Sequence, residues 1–234
     1  MASLLSPRSK LWNNLLIDGE STAIPWTESP SLRSTLFCLA TIFGGVGIYG
    51  ASIGLWQGAL MATYVGIKLP FIILLTLLLN GLFNGIIAQL LGSKLSFVQT
   101  TFAILTAFAV FALIVASLTP ITVVMTLDAP APDSAEGPVT HRRLILTHTF
   151  IIAFAGIIST SRLHRLLFRF TESTGAATRC LIALIVGNLF AGAQVGYLLR
   201  PIFCQPGLPV EFLRSDPFRG NFYEAVWWAL QNSL

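Results

Sequence analysis

Between Arg33 and Asp128 the chain carries only two formal charges, Lys68 and Lys94. That stretch exceeds ninety residues and is largely apolar. A hydrocarbon core of ~30 Å needs about 20 apolar residues per helical crossing, so the stretch is long enough for several. Water would not tolerate so much uncharged surface. Soluble domains carry about 25% charged residues; this chain carries 10%, with a mean hydropathy of +0.76. The expected class is all-α: a polytopic transmembrane helical bundle of about five spans, with short interfacial amphipathic helices at both ends.

The expected division is a cytoplasmic segment (1–34), a five-helix membrane domain (35–199) and an extracytoplasmic tail (200–234). In the first segment Leu11, Trp12, Leu15 and Leu16 share one helical face, with Asp18-Gly19 ending the helix. A Trp-bearing face flanked by bases suits the membrane interface. The expected spans are 35–56, 70–91, 97–118, 144–161 and 180–199. Residues 57–67, broken by Gly58 and Gly66, read as an interfacial connector, and Lys68-Leu-Pro70 reads as the opening of the second span. Proline is at home in the first turn of a helix. The third span reads as continuing towards residue 127 past a kink at Pro120. Residues 128–140 (DAPAPDSAEGPVT) read as an extended loop, and 162–179 as a basic loop holding Arg162, Arg165, Arg169 and Arg179, with His141 and His164 also in loops. In the tail, Asn221 with Glu224 three residues later resembles a capping box. It opens an amphipathic helix anchored by Trp227 and Trp228.

Two glycine patterns stand out. Gly50 and Gly54, extended by Gly58, and Gly192 with Gly196 repeat every four residues. Small residues at that spacing let helix backbones approach closely, so both sets are expected to pack helices. The polar groups expected within the membrane are Asn80, Asn84, Asn188, Gln194 and His148. Asn80 and Asn84, one turn apart, are placed to bond across to Asn188, as interhelical glue or as the lining of a substrate path. His148 has two readings: a neutral histidine bonded to a neighbouring helix, or an axial ligand to haem or chlorophyll. Apart from that histidine, no cofactor is expected.

No Asp or Glu falls inside an expected span, which disfavours ion-coupled transport. No nucleophile, zinc or phosphate-loop motif is visible, so no enzyme is expected. Cys38, Cys180 and Cys204 are too dispersed for a disulfide framework or a metal site. The formal charge of +4 resides in bases flanking the spans, which points to orientation in a bilayer rather than to nucleic acid. Eight bases fall on the N-terminal side (Arg8, Lys10, Arg33, Lys94, Arg162, Arg165, Arg169, Arg179) and six on the other (Lys68, Arg142, Arg143, Arg200, Arg214, Arg219). The excess puts the N-terminus in the cytoplasm and the C-terminus outside.

Residues 50–70 (GASIGLWQGALMATYVGIKLP) and 198–214 (LLRPIFCQPGLPVEFLR) resemble segments of the Yip family and its bacterial Yip-like relatives. The resemblance implies a five-helix bundle of the bacterial inner membrane that works through partners rather than catalysis. The first functional expectation is therefore a non-enzymatic accessory or scaffold subunit, partnered by the bilayer and by other membrane proteins. The alternatives are a carrier or channel for a small neutral solute or lipid, and a pigment- or haem-binding subunit.

Overall fold

The computed structural model describes residues 19–224 apart from Gly92, Glu172, Cys204 and Phe222, and gives only the backbone for residues 19–22 and for Asn84. The anchors Trp12, Trp227 and Trp228 lie outside the described residues. Among the described residues six helices follow one another: α1 (Gly19–Glu28), α2 (Leu32–Gly54), α3 (Ala59–Leu90), α4 (Phe97–Leu127), α5 (Gly137–Arg169) and α6 (Thr174–Leu198). The last five are long and apolar enough to cross a membrane, as the charge-poor sequence predicts. Among the described residues there is no strand, only an isolated bridge between Ser93 and Thr171 that joins two inter-helix turns.

Local chemistry sets the helix starts. At α2 the Ser31 hydroxyl accepts from the Ser34 N–H and the Ser34 hydroxyl accepts from the Ser31 N–H, both at 3.1 Å. Ser96 and Gln99 form the same reciprocal cap at α4, and Ser173 caps α6. Each cap satisfies N–H groups that a helix start leaves without a partner.

The structure corrects four expected boundaries. Residues 57–67 are not an interfacial connector: after a 3-10 turn (Leu55–Gln57), α3 begins at Ala59 and runs unbroken through Pro70. The turn itself is made by Gly58, whose φ of 106° is the conformation that favours glycine. Gly58 thus turns the chain and packs no helix. Pro70 sits mid-helix with its ring beside Gly47 of α2, where even a methyl group would meet it at an ordinary 3.6 Å. The helix α5 also outgrows its expected span by about two turns at each end. His141, Arg142, Arg143, Arg162, His164, Arg165 and Arg169 are therefore helical rather than in loops. An arginine on the end turn of a spanning helix can carry its charge to the interface along its aliphatic stem. Finally, 19–28, past the helix end expected at Asp18-Gly19, forms α1 despite Pro25. Trp26 meets Phe37 edge-on at 5.8 Å, and Gln99 donates to the Glu28 carbonyl at 3.1 Å. Tertiary contact holds α1 where local propensity does not.

Helix α2 is the centre of the bundle and packs most extensively on α3 and α4. Helix α3 also packs on α6, α5 bridges α4 and α6, and α1 lies against α4 and α5. The buried ridge of α2 is Cys38, Ile42, Val46, Tyr49 and Ile53, while Leu36, Phe43 and Ile48 face outwards. Outward apolar side chains on every span are what a bilayer solvates.

Candidate functional site

The α2–α3 seam is closed backbone to backbone. A methyl group on Gly50 would lie 2.7 Å from the Val65 carbonyl oxygen, and one on Gly54 would collide with the Met61 carbonyl. On the α4 side of α2, a methyl group on Gly45 would lie 2.7 Å from the Ala112 carbonyl oxygen. Further along, the Ser52 and Thr122 hydroxyls are 2.7 Å apart, and Thr126 donates to the Ser52 carbonyl at 3.3 Å. Three helices are thus locked by small and polar groups.

His148 joins α5 to this unit. Its Nδ1 is 2.9 Å from the Tyr49 hydroxyl, and its ring lies against those of Tyr49 and Phe203, with centroids at 5.6 and 6.2 Å. The side chain is 3% exposed. So enclosed, it makes an interhelical hydrogen bond through Nδ1. Among the described residues no cluster of three or more His, Cys, Asp or Glu could hold a metal.

Asn80 is buried and donates to the Leu184 carbonyl at 3.2 Å and to the Asn188 side-chain oxygen, clamping α3 to α6. Asn84 lies on α3, with its side chain outside the described residues. Gln194 is half-buried on α6. Gly192 and Gly196 do not make a close seam. Methyl groups there would meet only Thr76 and Ile202, at 3.6 and 3.7 Å, which is ordinary contact.

What lies beside those two glycines is space. A cleft of about 690 Å³ runs between the five spans, in the size range of small-molecule sites. Its wall is almost wholly apolar, with Val46, Ile72, Phe108, Phe111, Ile152 and Ile185 contributed by all five helices. The polar exceptions are few: Tyr49, Thr76 and Asn188 within, and Ser159, Thr160 and Ser161 towards the arginine-bearing end of α5. The Thr76 hydroxyl is buried and has no hydrogen-bond partner among the described residues. Ile157 of α5 and Leu189 of α6 both line the cleft and are both 68% exposed. They mark a side opening between the two least buried spans.

One further feature escaped the sequence reading. Lys68 is not at a helix opening; it lies inside α3 and is 1% exposed. Its Nζ donates to the Pro201 carbonyl at 2.8 Å and sits 5.1 Å from the Phe212 ring. Gln57 donates to the Leu208 carbonyl at 3.1 Å, and the Tyr197 hydroxyl to the Arg219 carbonyl at 3.1 Å. The segment 200–219 is therefore strapped across one end of the bundle, where Ile202 reaches the cleft. The available signal was that Lys68 stands between two apolar runs with no neighbouring charge.

No protein-family model, curated protein or solved structure matches the chain.

Proposed function

We propose that the chain is a non-catalytic integral membrane protein that takes the hydrocarbon chain of a lipid into the cleft among its spans, as a carrier or holder. The observation behind this reading is the cleft: apolar, ligand-sized and open sideways at Ile157 and Leu189. In a bilayer the medium at such an opening is acyl chain. An empty apolar void forfeits dispersion contacts with its lining, so occupation by a chain is favoured. The lining contains no carboxylate, which fits a neutral chain better than an ion-coupled solute.

The accessory-subunit expectation loses its motif, because Gly50 and Gly54 are used inside the chain. The end bearing Arg33, Lys94, Arg162, Arg165, Arg169 and Arg179 faces the cytoplasm in this reading. Asp128, Asp133 and Glu136 lie at the other end with the strap.

Gly156 provides the test. It lines the cleft, and a methyl group there would have nothing within 4 Å. Gly156→Phe should therefore fill the cleft without disturbing the bundle. Native mass spectrometry of protein extracted in mild detergent should show bound lipid on the natural chain and little on the variant. Equal lipid on both would refute the reading.

A further inference from the structure

Several threonines of the spans bond back to the carbonyl four residues earlier. Thr63, Thr106, Thr119 and Thr126 do so at distances between 2.7 and 3.1 Å. That is the usual resting place of a hydroxyl on a helix. Thr76, near the middle of α3, departs from it. The residue is 4% exposed, and its hydroxyl has no partner among the described residues. A buried hydroxyl left so is costly. The side chain lines the cleft, and its oxygen lies 3.7 Å from where a methyl group on Gly192 would stand. Gly192 lines the cleft too. The hydroxyl thus borders the space that this glycine leaves open.

A second donor stands one turn away. Asn80 Nδ2 donates to the Leu184 carbonyl and to Asn188 Oδ1. A carbonyl only accepts, so the Asn80 atom facing it is nitrogen, and the Asn188 atom that meets that nitrogen is oxygen. The Asn188 amide nitrogen is then the end left over, with no partner among the described residues, on a side chain that lines the cleft. Thr76 and Asn80 are four residues apart on α3, as are Asn188 and Gly192 on α6. The two donors therefore sit at neighbouring levels, about 6 Å apart along the helix axes. Other polar groups of the lining are engaged: Tyr49 bonds His148, and Ser159 and Ser161 donate to the Gly156 and Ile157 carbonyls. The lining holds no charged side chain.

We propose that Thr76 and Asn188 form a two-donor site for the carbonyl oxygens of an uncharged lipid, held at mid-depth in the membrane. The proposal rests on the lipid-holding reading above and names the class of lipid. Both residues lie near the middle of their helices. A phospholipid presents only hydrocarbon at that depth, because a charged headgroup is costly to bring there and the lining offers it no counter-ion. A few placed polar groups in an apolar cavity fix a ligand by its own polar atoms. Two donors one helical turn apart suit two carbonyl oxygens on one uncharged group: the esters of a diacylglycerol or the ring carbonyls of an isoprenoid quinone. Binding gives the Thr76 hydroxyl the acceptor it lacks.

The test offers the full chain in mild detergent an equimolar mixture of phosphatidylcholine, a diacylglycerol with the same acyl chains and an isoprenoid quinone, read by native mass spectrometry. The natural chain should retain one of the two uncharged lipids over phosphatidylcholine, and whichever is enriched identifies the carbonyl group. Thr76→Val keeps the side-chain shape and removes the hydroxyl. It should cut that enrichment roughly fivefold, the worth of one ordinary hydrogen bond, while Thr76→Ser should keep most of it. The lipid-free Thr76→Val protein should unfold at the same temperature as the natural chain or higher, since it loses an unpaired buried hydroxyl. The infrared carbonyl band of the enriched lipid, labelled with carbon-13, should lie at lower wavenumber on the natural chain than on Thr76→Val. Equal retention of all three lipids, undiminished enrichment on Thr76→Val or an unmoved band would overturn the donor site. The cleft reading would still stand if Gly156→Phe released the bound lipid. If the natural chain retains no lipid, both fail together.

Discussion

Two seams of the bundle carry glycines four residues apart, and they close to different degrees. Between α2 and α3 the backbones touch, so that Gly50 and Gly54 have no room for a methyl group. Along α6, Gly192 and Gly196 look out on the cleft, and a methyl group at either meets only ordinary contacts. The same spacing thus marks a welded joint in one place and the wall of a cavity in the other. The difference lies in the partner. Helix α3 brings the backbone of Met61 and Val65 against α2, whereas the neighbours of α6 at those positions are the Thr76 and Ile202 side chains. A glycine pair states that close approach is permitted; whether it happens depends on what faces it.

The sharpest way to break the contrast is to add a methyl group on each side. Gly54→Ala should destabilise by about 3 kcal/mol, the upper part of the overpacking range, because the clash is with backbone that cannot rotate away. Thermal unfolding in detergent would read it, and Gly50→Ala should follow closely. If both variants unfold like the natural chain, the seam is looser than described.

Next in size is the bond that joins α5 to the welded unit. Tyr49→Phe removes the hydroxyl facing His148 and should cost about 1 kcal/mol, in the range of measured intramembrane hydrogen bonds. A double-mutant cycle with His148→Leu should return a coupling of similar size, and zero coupling would show that the pair does not hold α5. Lys68→Met should loosen the strap more than the bundle, since it removes the donor to Pro201 and the cation beside Phe212. Hydrogen exchange should then quicken across residues 208–219 while α2 keeps its protection. Uniform quickening would mean that Lys68 supports the core. The smallest effect is expected at Gly196→Ala, within about 0.5 kcal/mol of the natural chain. A loss as large as that of Gly54→Ala would erase the distinction between the two seams.

Much of the frame was legible in the sequence, for a plain reason. A charge costs several kcal/mol in hydrocarbon, so apolar runs report the number of spans almost directly. The places where charges resume report helix ends less well. A helix may leave the membrane and continue, as α5 does with Arg162, Arg165 and Arg169. Gly58 and Pro70 bracket a stretch that looks broken in one dimension. In three dimensions Gly58 alone makes the turn, and the helix runs on through Pro70. Asn80 and Asn188 could be paired from helical spacing alone, and the pairing is present. The His148 partner, Tyr49, lies 99 positions away and had no local signal. The cleft was hidden for a deeper reason. Its lining residues are the ordinary apolar side chains of any span, and a cavity is a property of how the five spans pack around it, which no single helix records.

The most direct measurement is photocrosslinking in liposomes with a phospholipid that carries a diazirine within its acyl chain, followed by peptide mapping. The account predicts adducts concentrated on residues 152–157 of α5 and 185–192 of α6, and their loss in Gly156→Phe. Adducts confined to outward positions such as Phe83, Ile121 and Val124, and unchanged by that substitution, would contradict it.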